Sequence, residues 1–247
     1  MFVRQAANVL ELLEYFAKRK RPAIMSEIAD DLGWPRSSAF NLVGTLVDRG
    51  FLYEPRTRGG FYPSPRWLSL AQEIADAEPL PEAVYTLLRE VRQETDETTA
   101  IGAPAGISAV FIAVEETQQA IRYFANVGRT LPIHATATGR AILEQYTPEE
   151  RQQLYRRIEF VQYLPATLVS IEAVEAEIRR SVQRGWHQSN SEFSDQLVGV
   201  SLPLRVNERR LSISIAGPGF RCEERREEFA KILRAAIDRF QPLFVGK

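Results

Sequence analysis

The chain of 247 residues has little cysteine or histidine and no long apolar run. Its single cysteine, Cys222, has no partner for an intramolecular disulfide, as is usual in reducing compartments. The two histidines, His134 and His187, do not belong to a cluster with the spacing of metal ligands. No segment reaches the length of a membrane span or has the form of a signal peptide. We therefore expect a cytoplasmic protein with no metal site and no membrane association.

The sequence also lacks the common catalytic and nucleotide-binding motifs. It contains no Gly-x-Ser-x-Gly elbow, no phosphate-binding loop and no dinucleotide fingerprint. Cys222 has no histidine near it in sequence that would activate its thiol. His134 precedes a predicted helix in a tight motif, which is more typical of a structural residue than of a general base. No catalytic residue and no cofactor is therefore predicted, and an enzyme is the disfavoured hypothesis.

The formal net charge of −1 conceals an uneven distribution of charge. Residues 1–66 contain ten Lys or Arg against seven Asp or Glu, a balance of +3, whereas the remaining residues contain 21 against 25, a balance of −4. A positive N-terminal part suits association with a polyanion such as DNA, although this excess is modest. The assignment of a function therefore depends on a specific motif.

Such a motif begins near Ser26, where two short predicted helices are followed by a β-hairpin. Ser26 is the predicted N-cap of the first helix, Gly33 ends it, and Pro35 stands where the second helix can start. Residues 51–54 and 60–63 can pair as the hairpin. This order is typical of a winged helix-turn-helix and favours DNA binding over the alternative that the exposed polar residues are ordinary surface.

The second helix of this motif has an apolar face and a polar face. Ala39, Leu42, Val43 and Leu46 recur at helical spacing and are predicted to face the core. The predicted DNA contacts are the outward side chains of the helix and two hairpin cations, namely Arg36, Ser37, Ser38, Asn41, Thr45, Arg56 and Arg58. Asn41 is the best candidate for base contact because an amide pairs bidentately with adenine, whereas arginines in the hairpin can lie along the phosphate backbone.

The rest of the chain is predicted to be α+β. A helix over residues 4–18, with an apolar stripe of Ala7, Leu10, Leu13 and Phe16 or Ala17, can brace the two short helices. A helix over 67–77 precedes a pair of prolines that marks a domain boundary. Further helices are predicted over 82–97, 136–145, 148–157, 171–184 and 224–240, and strands over 98–103, 109–115, 120–125, 198–206 and 211–216. Short connections between successive strands indicate a mostly antiparallel sheet flanked by helices.

Three motifs occur in order along the chain. The first, EIADDLGWPRSSAFNLVGTLVDRGFL, lies in the predicted helix-turn-helix, and the second, LPIHATATGRAIL, runs from Leu131 to Leu143. The third joins RGW at Arg184–Trp186, through Glu192, to LSISIAGP at Leu211–Pro218. Together they resemble the isocitrate-lyase-regulator (IclR) family of bacterial transcription factors over nearly the whole chain, and three matches at suitable separations are more specific than a helix-turn-helix alone.

The resemblance implies a domain organisation and partners. A winged helix-turn-helix is expected at residues 1–65, a linker helix at 66–80 and a GAF/PAS-like effector-binding domain at 81–247. The expected partners are a palindromic double-stranded DNA operator and a second copy of the chain, as a homodimer or a dimer of dimers. A repressor is expected, with an activator as the alternative. An enzyme that processes a small molecule and a metabolite sensor that does not bind DNA are the other hypotheses.

The expected effector is a small organic acid. If a helix begins near Thr136, the unpaired backbone N–H groups around Ala137 and Thr138 form an anion site suited to a carboxylate. By the resemblance, the effector contacts are Ala137, Thr138, Ser189, Gly199, Ser214 and Ala216.

The predicted pocket has fewer polar groups than one known version in the family. Ser189, Gly199 and Ala216 stand where that version has acidic, thiol and hydroxyl groups, which favours a larger effector, such as an aromatic acid. For Ser189 and Ser214 the alternative is a strand hydroxyl satisfied by the backbone.

Overall fold

The computed structural model describes residues 3–56 and 59–244. Its contacts divide the chain into two compact units, Met1–Pro79 and Leu80–Lys247. The first unit, called the head below, consists of α1 (Arg4–Arg19), α2 (Met25–Asp31), α3 (Arg36–Asp48), β1 (Leu52–Tyr53), β2 (Tyr62–Pro63) and α4 (Arg66–Ala77). Strands β1 and β2 are antiparallel, and a bridge between Ala23 and Phe61 extends this small sheet.

The predicted apolar face of α3 is confirmed. Ala39, Val43 and Leu46 are buried, and Leu42 is partly buried against the same core. The polar residues between them are exposed because consecutive positions on a helix point in different directions. The spacing of apolar residues in α3 therefore leaves its polar face exposed to solvent.

The predicted apolar stripe of α1 is partly wrong. Leu12 and Phe16 are buried in the core, whereas Leu10 is 63% exposed. Phe16 belongs to the predicted stripe and is buried as expected, but residues four apart lie on one face of a helix, so it shares the buried face with Leu12 and not with Leu10. Helix α1 still packs against the core of the head, through Leu12 and Phe16.

The prediction that Ser26 caps the next helix is also wrong. Helix α2 begins at Met25, and Ile24 is its N-cap. The Glu27 carboxylate accepts a hydrogen bond from the Ile24 N–H at 3.0 Å, which fixes the chain before the helix. A carboxylate in the first helical turn also interacts favourably with the helix dipole.

The second unit corresponds to the predicted effector-binding domain, is called the effector domain below and contains a six-stranded sheet. Its elements are α5 (Glu82–Thr95), β3 (Thr98–Ala105), β4 (Ser108–Glu115), β5 (Thr130–Pro132), α6 (Ala137–Leu143), α7 (Pro148–Tyr155), α8 (Ile171–Arg184), β6 (His187–Asn190), β7 (Leu197–Val206), β8 (Arg209–Pro218), α9 (Gly219–Cys222) and α10 (Arg226–Phe240). The sheet is antiparallel throughout, in the order β5-β4-β3-β8-β7-β6. This architecture confirms the predicted α+β class.

The two faces of the sheet cover different cores. On one face, Val198, Val200 and Leu202 of β7 pack with α5 and α10. On the other face, Ala100 and Phe111 pack with α6 and α8. Because side chains alternate along a strand, the residues between the valines of β7 face α6. This alternation directs the small and polar residues of β7 and β8 toward the start of α6.

Two strands differ from the prediction. Residues 120–125 form no strand, and β5 follows them at Thr130–Pro132. Conversely, β6 is a strand although its sequence, His-Gln-Ser-Asn, is polar. It forms because it pairs with β7, so that His187 lies opposite Ser201 and Ser189 lies opposite Gly199. Strand formation here depends on a neighbouring strand and not on local preference.

Candidate nucleic-acid interface and effector cavity

The exposed face of α3 carries the polar side chains predicted to contact DNA. These exposed residues are Arg36, Ser37, Ser38, Asn41 and Thr45. The Thr45 hydroxyl donates a hydrogen bond to the Asn41 carbonyl at 2.7 Å. This bond uses the hydroxyl proton of Thr45. The side chain therefore has only acceptor lone pairs to offer to an incoming base or phosphate.

The wing between β1 and β2 adds a cation. Arg56 is exposed in the loop that joins the two strands. Arg58, the second cation predicted there, lies outside the described residues. At the base of the wing, Arg66 donates a hydrogen bond to the Arg49 carbonyl at 2.5 Å and lies 4.6 Å from the centroid of the Phe51 ring. These contacts tie the wing to the end of α3.

A groove beside α3 includes residues that the sequence did not indicate as a site. Arg4, Gln5 and Asn8 of α1 line it together with Ser38, Asn41 and Thr45 of α3. The sequence predicts α1 only as a brace for the core of the head. The available signal is the polar composition of the first two turns of α1, where Arg4, Gln5 and Asn8 precede the buried residues Leu12 and Phe16.

A cavity in the effector domain lies between the start of α6 and the sheet. All six predicted effector residues line it, namely Ala137, Thr138, Ser189, Gly199, Ser214 and Ala216. Large side chains complete the wall, among them Phe111, Tyr123, Leu131 and Phe193. The strand register explains part of this convergence, since Gly199 of β7 pairs with both Ser189 and Ala216.

A chain of hydroxyl groups connects α6 to β8 and β7. Thr138 Oγ1 lies 2.8 Å from Ser214 Oγ, Ser214 Oγ lies 2.9 Å from Ser201 Oγ, and Ser201 Oγ donates to the Ile213 carbonyl at 2.9 Å. Each hydroxyl has one proton. Because Ser201 uses its proton on the carbonyl, Ser214 must donate to Ser201, and Thr138 must donate to Ser214. Thr138 Oγ1 therefore has only acceptor lone pairs left for the cavity.

The backbone at the start of α6 has free donors. Thr136 caps the helix by accepting a hydrogen bond from the Gly139 N–H at 3.1 Å. The N–H groups of Ala137 and Thr138 have no partner in the part of the chain that the structure describes. The end of α6 that lines the cavity thus has two unused N–H donors beside the acceptor at Thr138 Oγ1.

Most of the chain matches the two domain descriptions of a single family of regulators. Residues 72–240 match "Bacterial transcriptional regulator IclR C-terminal", and residues 5–56 match "IclR helix-turn-helix domain". The chain belongs to the IclR family. It is therefore a DNA-binding transcriptional regulator and not an enzyme.

Named members of the IclR family are similar over most of the chain. The HTH-type transcriptional regulator KipR of Bacillus subtilis is 26% identical, over 85% of this chain and 84% of that protein. The acetate operon repressor of Salmonella typhimurium is 26% identical, over 95% and 88% of the two chains. The crystal structure of an IclR homologue from Microbacterium hydrocarbonoxydans, complexed with 4-hydroxybenzoate, has the same fold, with a TM-score of 0.73, 21% identity and coverage of 96% and 97%.

The IclR-like motif that contains α6 also holds a buried ion pair. Arg140 is 0% exposed. It donates to both carboxylate oxygens of Glu192, at 2.6 and 3.0 Å, and to the carbonyls of His134 and Gln188, at 2.9 and 2.5 Å. Glu192 also lines the cavity, and burial raises the pKa of its carboxyl while Arg140 opposes that shift. The pair joins α6 to the segment that follows β6.

The two histidines and the cysteine of this IclR member are buried. His134 is 2% exposed, with its ring 5.1 Å from the ring of Phe160, and burial lowers its pKa. Burial also lowers the pKa of His187, whose Nε2 lies 2.5 Å from the Glu144 carboxylate. Burial raises the pKa of the Cys222 thiol to about 12. These groups are packed in the domain, and the described residues include no cluster with the composition of a metal site.

Within residues 3–56 and 59–244, the structure has no helix with the length and apolar content that crossing a bilayer requires.

Proposed function

We propose that this IclR-family protein is a repressor whose affinity for its operator changes when a small organic acid binds in the cavity of the effector domain. The observation that carries the proposal is the convergence of the six predicted effector residues on one cavity beside α6. Repression is supported by the name of its relative, the acetate operon repressor. The protein would act in the cytoplasm, where the operator lies.

The chemistry of the cavity supports an acid with an apolar body. The free N–H groups of Ala137 and Thr138 are donors for a carboxylate. The Ser189 hydroxyl also lines the cavity and is a further donor. Aromatic and aliphatic side chains form the remaining wall, and polar groups at one end of an apolar pocket orient a ligand. The 4-hydroxybenzoate in the related Microbacterium protein supports an aromatic acid.

Control of DNA binding requires the effector to bind one arrangement of the dimer better than another. We propose a homodimer, or a dimer of dimers, on a palindromic operator, with α4 coupling the effector domain to the spacing of the two heads. The exposed apolar residues of α4 support this role, since Leu68 is 73% and Ile74 is 67% exposed. Two heads on adjacent turns of the duplex also raise affinity and specificity over those of one head.

A titration of operator binding with carboxylic acids tests the effector. At fixed salt concentration, a bound aromatic acid should change operator affinity by about 5- to 150-fold, the usual range of allosteric coupling. The methyl ester of the same acid is the matched control, and it should have little effect because its charge is absent. An acid that raises the thermal midpoint of the protein but leaves operator affinity unchanged would rule out the coupling.

Substitution of Asn41 tests the proposed base contact. Asn41→Ala should weaken binding to the specific operator by about 1–3 kcal/mol, because a bidentate contact to adenine is lost. Binding to random DNA should change little. Arg56→Ala is the matched control, and it should weaken binding to both kinds of duplex alike. Equal losses on both duplexes for Asn41→Ala would remove Asn41 from the base-contacting set.

A further inference from the structure

Phe40 is a large apolar side chain that stands out among the polar residues of α3. It is 65% exposed, whereas Phe16 in the core of the same unit is 1% exposed. It directly precedes Asn41 and lies one helical turn after Arg36, so it adjoins the predicted DNA contacts. An exposed aromatic ring gains free energy when another surface removes it from water. Phe40 therefore offers a contact that the head itself does not use.

Gly44 makes the surface next to Phe40 unusually open. It lies one turn further along α3, and a Cβ added there would meet nothing within 4 Å. Glycine inside a helix is less favourable than alanine, and the packing of the head gives no reason for it here. The absence of a side chain lets an external surface approach the helix backbone beside the Phe40 ring.

We propose that Phe40 and Gly44 form an apolar contact for the 5-methyl group of a thymine in the operator. The inference rests on the proposal that α3 is the helix that contacts bases. In the major groove, thymine is distinguished by this methyl group, and apolar side chains including Phe contact it. Gly44 lets the base edge come close, and Phe40 covers the methyl group. The thymine is expected in the same half-site as the adenine that Asn41 contacts, since both side chains are on the exposed surface of α3.

Replacement of thymine by deoxyuridine tests the contact, because it removes only the methyl group. The operator is first selected from randomised duplexes with the full-length protein, and each thymine is then replaced in turn. For the unchanged protein, one thymine in each half-site should be sensitive, with a loss of about fourfold in affinity for one buried methyl group. Phe40→Ala should bind the thymine and deoxyuridine operators equally. Phe220→Ala, which removes an exposed ring from the effector domain, should retain the discrimination.

Gly44→Ala provides a second measurement that separates stability from binding. The thermal midpoint should stay the same or rise, because alanine favours the helix, while the affinity for the operator falls. Persistence of discrimination between thymine and deoxyuridine in Phe40→Ala would overturn the proposal, as would a change in oligomeric state caused by that substitution. If Asn41→Ala weakens specific binding in the same assay, α3 remains the base-contacting helix even when the proposal for Phe40 fails.

Discussion

Replacement of Arg140 by methionine should lower the free energy of unfolding of the effector domain by about 3–5 kcal/mol. The guanidinium is fully buried and binds Glu192 through two hydrogen bonds, at 2.6 and 3.0 Å. Without it, the Glu192 carboxylate would be buried with no countercharge. Two backbone carbonyls, those of His134 and Gln188, would also lose their donor. Urea denaturation followed by circular dichroism measures the change.

The double variant Arg140→Met with Glu192→Leu is the matched control for this prediction. Replacing both partners of a buried ion pair by apolar side chains is often neutral, whereas removing one partner leaves a buried charge. The double variant should therefore recover most of the lost stability. A double variant as unstable as the single one would mean that the hydrogen bonds to the carbonyls, and not the charge of Glu192, carry the effect.

The loss in free energy of unfolding caused by Arg140→Met should also depend on pH. Burial raises the pKa of the Glu192 carboxyl, and Arg140 opposes that shift. A group whose pKa is higher in the folded state favours folding at low pH, and this contribution is lost as the pH rises through the folded-state pKa. In the variant the contribution of Arg140 is lost, and only the smaller one from the Asn190 backbone N–H still opposes the shift. The loss of stability should then grow as the pH rises above the ordinary pKa of a glutamate carboxyl and shrink below it, where the carboxyl is protonated in both the folded and the unfolded state.

Gly139→Ala should destabilise the effector domain by about 3 kcal/mol, the upper part of the range for overpacking. A Cβ at Gly139 would lie 2.1 Å from the Ile133 carbonyl oxygen and 2.5 Å from the Ile133 Cα. Both atoms belong to the backbone, so relief requires α6 to move away from residue 133. Such a movement would also displace Ala137 and Thr138 in the cavity. Thermal unfolding and titration with the effector acid measure the two consequences.

Gly44→Ala is the control for Gly139→Ala. Both glycines are in helices, but the space around Gly44 is open. The same substitution should therefore leave stability unchanged or increase it at Gly44 and reduce it at Gly139. Equal effects at the two positions would show that helix preference dominates over the close contact with Ile133.

Helices with a clear apolar period were predictable from the sequence because their signal is local. In α3, the spacing of Ala39, Val43 and Leu46 was sufficient to identify the buried face. Residues 171–184 were predicted as a helix with the bounds that α8 has in the structure. Its N-cap Ser170 and C-terminal Gly185 are the usual signals for the two ends of a helix.

The errors arose where a distant partner decides the structure. Residues 120–125 are rich in apolar and aromatic residues, as strands often are, but they pair with no strand, and Tyr123 and Ala125 line the cavity instead. The polar β6 has no strand signal, and it forms because β7 pairs with it.

The sequence by itself determined the IclR resemblance, the polar face of α3 and the small residues near the effector cavity. Only the tertiary structure decided which residues around the cavity form hydrogen bonds and ion pairs with one another. The pairing of Arg140 with Glu192 spans 52 positions, and that of Thr138 with Ser214 spans 76. Local preference acts over a few residues, whereas hydrogen bonds between distant positions depend on how the sheet and α6 pack. The direction of the hydroxyl chain, and with it the acceptor that Thr138 presents to a ligand, follows from that packing.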